Sequence, residues 1–303
     1  MKKLMLLLLA AGISTQLAAQ EKTDPRKIHY PSFEEAFKAK PDEVYTIYIN
    51  DKQLTEIPKK VLKLKNLERL SLRDCSVKQI PKWLKELPNL KTLDLSNNGL
   101  TEIPAGIFEL AELEELILYD NYFTGIPDEI TRLTKLQKLH LQGCEFREPP
   151  IVLASMKQLS CLSMNECRLG KIPDFIFQMP QLEYLFLWDN GIMEIPDSIA
   201  MLKKMLCLNL TDNRISHVPD ALFELTELEK LFLSENGLME LPPGIGRLTK
   251  LSEFYTGQNA LSNLPEELFT IKSLEYIDIR ETAITLEYLE PIREKYPNLY
   301  FDL

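Results

Sequence analysis

The sequence predicts an α/β solenoid: a horseshoe with a parallel concave sheet of about eleven strands, short helical or 3-10 segments on the convex side, and helical caps at both ends. Three observations predict it. Proline recurs every 23 residues ten times, from Pro58, Pro81 and Pro104 to Pro265, without an insertion or deletion. Each of these prolines stands in the same apolar frame. Beyond both ends of the run the frame gives way to amphipathic segments, as the open ends of a stacked array require.

Counted from Leu90, the frame reads L-x-x-L-x-L-x-x-N-x-L-x-x-I-P-x-x-I-x-x-L-x-x, with Leu90, Leu93, Leu95, Asn98, Leu100, Ile103, Pro104, Ile107 and Leu110 as its fixed points. Aliphatic residues, Met or aromatics fill 68 of the 70 apolar positions in ten repeats, and the departures are Pro149 and Thr256. In L-x-L, alternate side chains face opposite ways, so positions 4 and 6 point into the core while 3, 5 and 7 point outward. One short parallel strand per repeat follows, and eleven strands at about 4.8 Å give a sheet roughly 50 Å long. Position 9 turns the chain inward, where a side chain that both donates and accepts can satisfy backbone groups. Asn98, Asn121, Asn190, Asn213, Asn236 and Asn259 occupy it, with Cys75, Cys144 and Cys167 in the same place. The proline at position 15 ends extended pairing and presets φ for the convex segment.

This frame resembles the leucine-rich-repeat family, whose L-x-x-L-x-L-x-x-N/C-x-L signature it matches over residues 44 to about 296. The Ile-Pro step resembles the Ras-suppressor-like subgroup. The resemblance implies a horseshoe that binds other molecules, but no partner carries over from a frame that serves many functions.

Residues 20–43 are read as a linker and capping helix, in which Ser32 opens a capping box and Phe33, Ala36 and Phe37 share one face. Residues 44–296 hold eleven repeats. The last, from Leu274, abandons the Ile-Pro step at Glu287 and Tyr288. Residues 285–303 form the second cap, a helix from Thr285 to Lys295 with Leu286, Leu289 and Ile292 inward, then a short strand near Leu299 to Phe301. Ahead of all this, residues 1–19 read as a secretory signal peptide: Lys2 and Lys3, an apolar run from Leu4 to Ile13, and Leu17-Ala18-Ala19. The run is too short to span a bilayer, and no Cys follows Ala19 to accept a lipid. The expected product is therefore an exported, soluble bacterial protein of the periplasm or exterior, with no membrane insertion after cleavage.

The formal net charge is −10, and losing Lys2 and Lys3 with the leader makes the exported chain more acidic still. Nucleic acid and anionic membranes are poor partners for it. The five cysteines do not form a disulfide framework on this frame. Those at position 9 point in parallel, while Cys161 and Cys207, on outward position 3, have Tyr184 between them, so five free thiols are expected. No cofactor or metal is expected: His29, His140 and His217 lack zinc-ligand spacing, and phosphate-cradling glycine loops are absent. His140 and Ser163 share a column with Asp94 and invite a hydrolase reading. Ile117 intervenes, however, an open sheet offers no oxyanion hole, and no G-x-S-x-G elbow occurs. Position 8 is acidic in eight of eleven repeats. That is ordinary strand-to-turn chemistry, with a cation ladder or a basic partner as alternatives.

The uneven face is the concave one. Tyr184, Phe186 and Trp188 are outward on a single strand, Phe232 and Tyr255 continue the column of Phe186, and Ile117, Tyr119 and Tyr122 form a second patch, with His140 among the polar residues between the two. Outward aromatics either mark an interaction site or stack across strands to stabilise the sheet. The leading expectation is a non-catalytic module that recognises a protein or peptide on this face. The alternative is a glycan, stacked on Tyr184 and Trp188 and bonded to Asp189 and Glu166.

The leader generates a test. The intact mass of the native protein should match residues 20–303, with or without ammonia loss from a cyclised Gln20; a retained Met1 would refute export by cleavage.

Overall fold

The computed structural model describes residues 25–146 and 148–303, so the leader expected at residues 1–19 and its cleavage point lie outside the described residues. The strands are β1 (His29–Tyr30), β2 (Thr46–Ile49), β3 (Arg69–Leu72), β4 (Thr92–Asp94), β5 (Glu115–Ile117), β6 (Lys138–His140) and β7 (Cys161–Ser163). They continue as β8 (Tyr184–Phe186), β9 (Cys207–Asn209), β10 (Lys230–Phe232), β11 (Glu253–Tyr255), β12 (Tyr276–Asp278) and β13 (Tyr300–Asp302). All thirteen join one sheet in chain order, and every pair is parallel. Strands β2 to β12 are the eleven that the frame predicts. The other two flank them: β13 falls close to the expected strand, whereas β1 is two residues long and too short to carry an alternation pattern.

From β2 to β12 the register never slips. Leu116 pairs with Leu139, Leu139 with Leu162 and Leu162 with Leu185, so each frame position forms a row across the sheet. Among the described residues, ten five-residue 3-10 segments return the chain along the convex side, from Lys59–Lys63 to Glu266–Thr270. Each begins just after its frame proline, whose carbonyl accepts the first bond, as Pro58 does from Val61 N at 3.0 Å and Pro81 from Leu84 N at 2.9 Å. A 3-10 segment rises about 2.0 Å per residue, so five residues span the layer with less chain than an α-helix needs. Leu185 and Leu187 are fully buried, as are Ile199 and Leu202 on the returning segment. No repeat encloses these side chains alone; each is covered by the repeats on either side.

Helix α1 (Phe33–Ala36) closes the first end. Ser32 Oγ accepts from Glu35 N at 3.1 Å, and Phe33 stacks on Phe37 with ring centroids 5.9 Å apart. Helix α2 (Leu286–Lys295) closes the other, capped by Thr285, with Leu289 buried and Ile292 against the core. Leu286, expected inward, is instead exposed, because it opens the helix on its outer side. Tyr288 turns in, and its hydroxyl donates to Leu264 O at 2.8 Å while accepting from Leu264 N at 3.0 Å. One phenol thus satisfies a donor and an acceptor that a further repeat would otherwise have met.

Of the two departures from the apolar frame, Pro149 is exposed but Thr256 is fully buried, and its hydroxyl has no hydrogen-bond partner among the described residues. Two opposite stability changes follow. Thr256→Val should raise stability by about 1 kcal/mol by removing an unsatisfied buried hydroxyl at nearly constant shape. Leu187→Ala should lower it by about 2–5 kcal/mol through the cavity it leaves. Urea unfolding of both variants checks the pair, and a destabilised Thr256→Val would mean that the hydroxyl has a partner in solution.

Candidate functional site

The ladder at position 9 places everything on the concave face. Asn213 Nδ2 donates to Leu187 O, in the layer before it, and to Leu210 O, each at 3.0 Å. Its Oδ1 accepts from Asn190 N at 3.1 Å and Ile192 N at 2.9 Å. Asn98, Asn121, Asn190, Asn236 and Asn259 each reach a carbonyl of the preceding layer in the same way. Where cysteine replaces asparagine the donor survives: Cys167 Sγ lies 3.2 Å from Leu141 O, and Cys75 Sγ 3.8 Å from Ile49 O. Burial pushes the Cys144 and Cys167 thiols up, that of Cys167 to about 12. All five cysteines are free and buried.

Just before the ladder, position 8 takes a left-handed backbone. Asp74, Asn97, Asp120, Glu166, Asp189, Asp212, Glu235, Gln258 and Glu281 have φ between 51° and 55°, and Gly143 has φ of 72°. Asp, Asn and Gly suit that conformation. This turn lifts each strand end, so that position 7 still faces the hollow while position 8 stands on its rim.

Three groups of side chains then share the concave face. In the first, on β3 to β6, Arg69 Nη2 and Thr92 Oγ1 both donate to Glu115 Oε2 at 3.2 Å. The Tyr119 hydroxyl lies 3.0 Å from His140 Nδ1, and His140 Nε2 lies 3.5 Å from Glu115 Oε1 without meeting hydrogen-bond geometry. Burial works to raise the Glu115 carboxyl, but the contact with His140 and the charges of Arg69, His140 and Lys138 outweigh it and draw it down to about 2. Tyr119 is pushed up, first by burial and then by nearby acidic groups and the Cys161 thiol. Ile117, half-buried, stands beside His140 in the pairing register. Glu115 and Arg69 were not singled out from the sequence. The frame contains the signal, since both occupy outward position 3 beside the Ile117 and His140 column.

The hydrolase geometry does not assemble. Both ring nitrogens of His140 face Tyr119 and Glu115, Ser163 is buried and its Oγ accepts from Asn165 at 3.0 Å, and Asp94 is held by Ser71 and Ser96.

The second group is Tyr184, Phe186 and Trp188 on and just after β8. All three are half-buried. Among the described residues no ring contact involves any of them, in contrast to the first and third groups. Their backbone is fixed, since Trp188 N donates to Asn165 Oδ1 at 3.0 Å. Cys161 and Cys207 flank Tyr184 in the register. Although they are on outward position 3, both are closed over, at 6% and 7% exposure, and burial lifts each thiol to about 12.

The third group is a cross-strand stack. Phe232 lies 4.3 Å from Tyr255, Tyr255 5.0 Å from Tyr276, and Tyr276 5.7 Å from Tyr300, centroid to centroid. The hydroxyls of Tyr255 and Tyr276 donate to Glu253 and Asp302, each at 2.8 Å. Phe232 is only 7% exposed, so much of its surface is spent on its neighbours.

The fold, ladder and open concave face define a leucine-rich-repeat solenoid, and the chain belongs to the leucine-rich-repeat family. The family description "Leucine rich repeat" matches residues 42–100 and 88–146, and "Leucine-rich repeat region" matches 174–294. No curated protein matches the chain significantly. Among solved structures, a leucine-rich-repeat protein of Leptospira interrogans is 28% identical with a TM-score of 0.71, over 86% of this chain and 73% of that one. An internalin of Listeria monocytogenes is 21% identical with a TM-score of 0.65, over 86% of this chain and 74% of that one. The ectodomain of the Arabidopsis thaliana receptor kinase GASSHO1/SCHENGEN3, in complex with Casparian strip integrity factor 2, is 27% identical with a TM-score of 0.58. That match spans 79% of this chain and 30% of the plant chain. Proteins of this fold generally bind other proteins, and the fold is typically a scaffold without catalytic activity. No helix among the described residues is long and apolar enough to cross a membrane.

Proposed function

We propose that the chain is a non-catalytic recognition module that holds a protein or peptide on its concave face, in the periplasm or at the cell surface. One observation carries the reading: Tyr184, Phe186 and Trp188 present three aromatic rings on one strand of the hollow, without ring partners among the described residues. Such rings bring much contact area at low entropic cost, which is why aromatics dominate binding hot spots. The stack from Phe232 to Tyr300 begins on β10 and the network of Tyr119, His140 and Glu115 ends on β6, each one strand removed from the patch on β8. Ile117, His140, Phe232 and Tyr255 are accordingly assigned to the margin of the site. Export rests on the leader sequence, and the Ile-Pro step supports the reading of a secreted bacterial member that resembles the Ras-suppressor-like subgroup. A sugar stacked on Tyr184 and Trp188 beside Asp189 is the second reading, and a glycan array against a crosslinking pull-down separates the two.

With the captured partner in hand, Phe186→Ala and Trp188→Ala should each weaken binding by about 2 kcal/mol, or roughly thirtyfold, with little change in thermal stability. Gln178 and Glu224, on the convex side, should be silent when changed to Ala. Unchanged affinity with lost stability would mean that the aromatics serve the sheet alone, and the site would have to be sought elsewhere.

A further inference from the structure

We infer that the segment docked on the Tyr184, Phe186 and Trp188 patch is a cationic polypeptide, its Lys or Arg side chains lying along an acidic rim beside the aromatic rings; this rests on the concave-face reading above. The rim is position 8, one residue beyond the last outward position of each strand. Glu166 lies level with the concave rows, because its Oε1 accepts from Gln142 Nε2 at 2.7 Å. The Asp120 carboxylate leans along the rim over Gly143, 2.8 Å from where a β-carbon on that glycine would stand. Asp189, exposed, directly follows Trp188 in the chain.

Several carboxylates away from the rim are neutralised by lysines of neighbouring repeats. Lys85 pairs with Glu109, Lys135 with Glu112, Lys203 with Glu224 and Lys250 with Glu227, each neutralising a carboxylate in an adjacent repeat. Among the described residues, Asp120, Glu166, Asp189 and Glu235 make no ion pair. On the opposite edge of the hollow, Lys230 is already committed to Glu253 at 2.6 Å, and Arg69 to Glu115 at 3.2 Å. Glu166 and Asp189 stand in successive layers and repel each other, a cost that a cation from outside would relieve. Turn geometry does not select the charge either. Glu166 and Glu235 hold φ of 53° and 55°, where the shorter neutral Asn or Gly fits better. Charge complementarity and the half-buried rings, which make no ring contact among the described residues, therefore specify the same occupant: a basic segment with at least one apolar side chain for the Trp188 face.

The test selects a random-peptide display library on the mature chain, on a Trp188→Ala variant, and on a rim variant combining Asp120→Asn, Glu166→Gln, Asp189→Asn and Glu235→Gln. Peptides selected on the native chain should be rich in Lys and Arg, bind about tenfold more weakly to the rim variant, and weaken as salt is raised. They should be lost on Trp188→Ala. Neutral or acidic peptides that still require Trp188 would overturn the charge inference and leave the concave site standing. Cationic peptides indifferent to Trp188→Ala would overturn the concave site itself, and enrichment of no peptide would overturn the polypeptide occupant. Circular dichroism of the rim variant guards against misfolding, since Asn and Gln keep the size of the side chains they replace.

Discussion

The hydrogen bonds of the ladder asparagine are the interaction on which the structure depends. At position 9 the chain must leave the strand, pass through a left-handed residue and turn into the core, which leaves carbonyls of two layers facing inward without strand partners. A single amide serves them: the Asn213 Nδ2 group donates to Leu187 O, Leu210 O and Thr211 O, and its Oδ1 accepts from Asn190 N and Ile192 N. Unmet, any one of those buried groups would cost about 1–3 kcal/mol. Because the bonds run between layers, they also lock each repeat to the one before it, and the parallel register follows.

Once the ladder and the buried leucines hold the layers, the outward positions are released from structural duty. They can carry a half-buried ion network around Glu115, a stack of rings from Phe232 to Tyr300, or the unstacked rings of Tyr184, Phe186 and Trp188 without disturbing the frame. This division of labour explains how a monotonous core and an irregular concave surface coexist on one chain, and why the leucine-rich-repeat fold serves so many partners.

The proline period and the apolar frame made the solenoid, its parallel sheet and its caps legible, because stacking repeats every local choice in register. The concave direction of Tyr184, Phe186 and Trp188 was legible from strand alternation alone. Less was legible where neighbouring strands decide the outcome. Cys161 and Cys207 are outward by alternation yet closed over, since their small side chains sit below the level of their neighbours. Phe232 faces the hollow but is covered by its own stack, and Leu286 lies outside the helix face on which Tyr288 does the capping. The left-handed backbone at position 8 gave weak compositional signals, because Glu166, Glu235 and Glu281 occupy it beside the expected Asp and Asn.

The central claim is that the ladder amide works as a donor to the preceding layer, which cysteine can approximate and carboxylate cannot. Urea unfolding of Asn213→Asp and Asn213→Cys tests it most directly. The account predicts that Asn213→Asp, which turns two donors into acceptors facing three carbonyls, costs about 3 kcal/mol or more. It predicts about 1 kcal/mol for Asn213→Cys, whose thiol can donate to Leu187 O as Cys167 does to Leu141 O. Equal losses for the two variants, or a carboxylate tolerated at neutral pH, would contradict it.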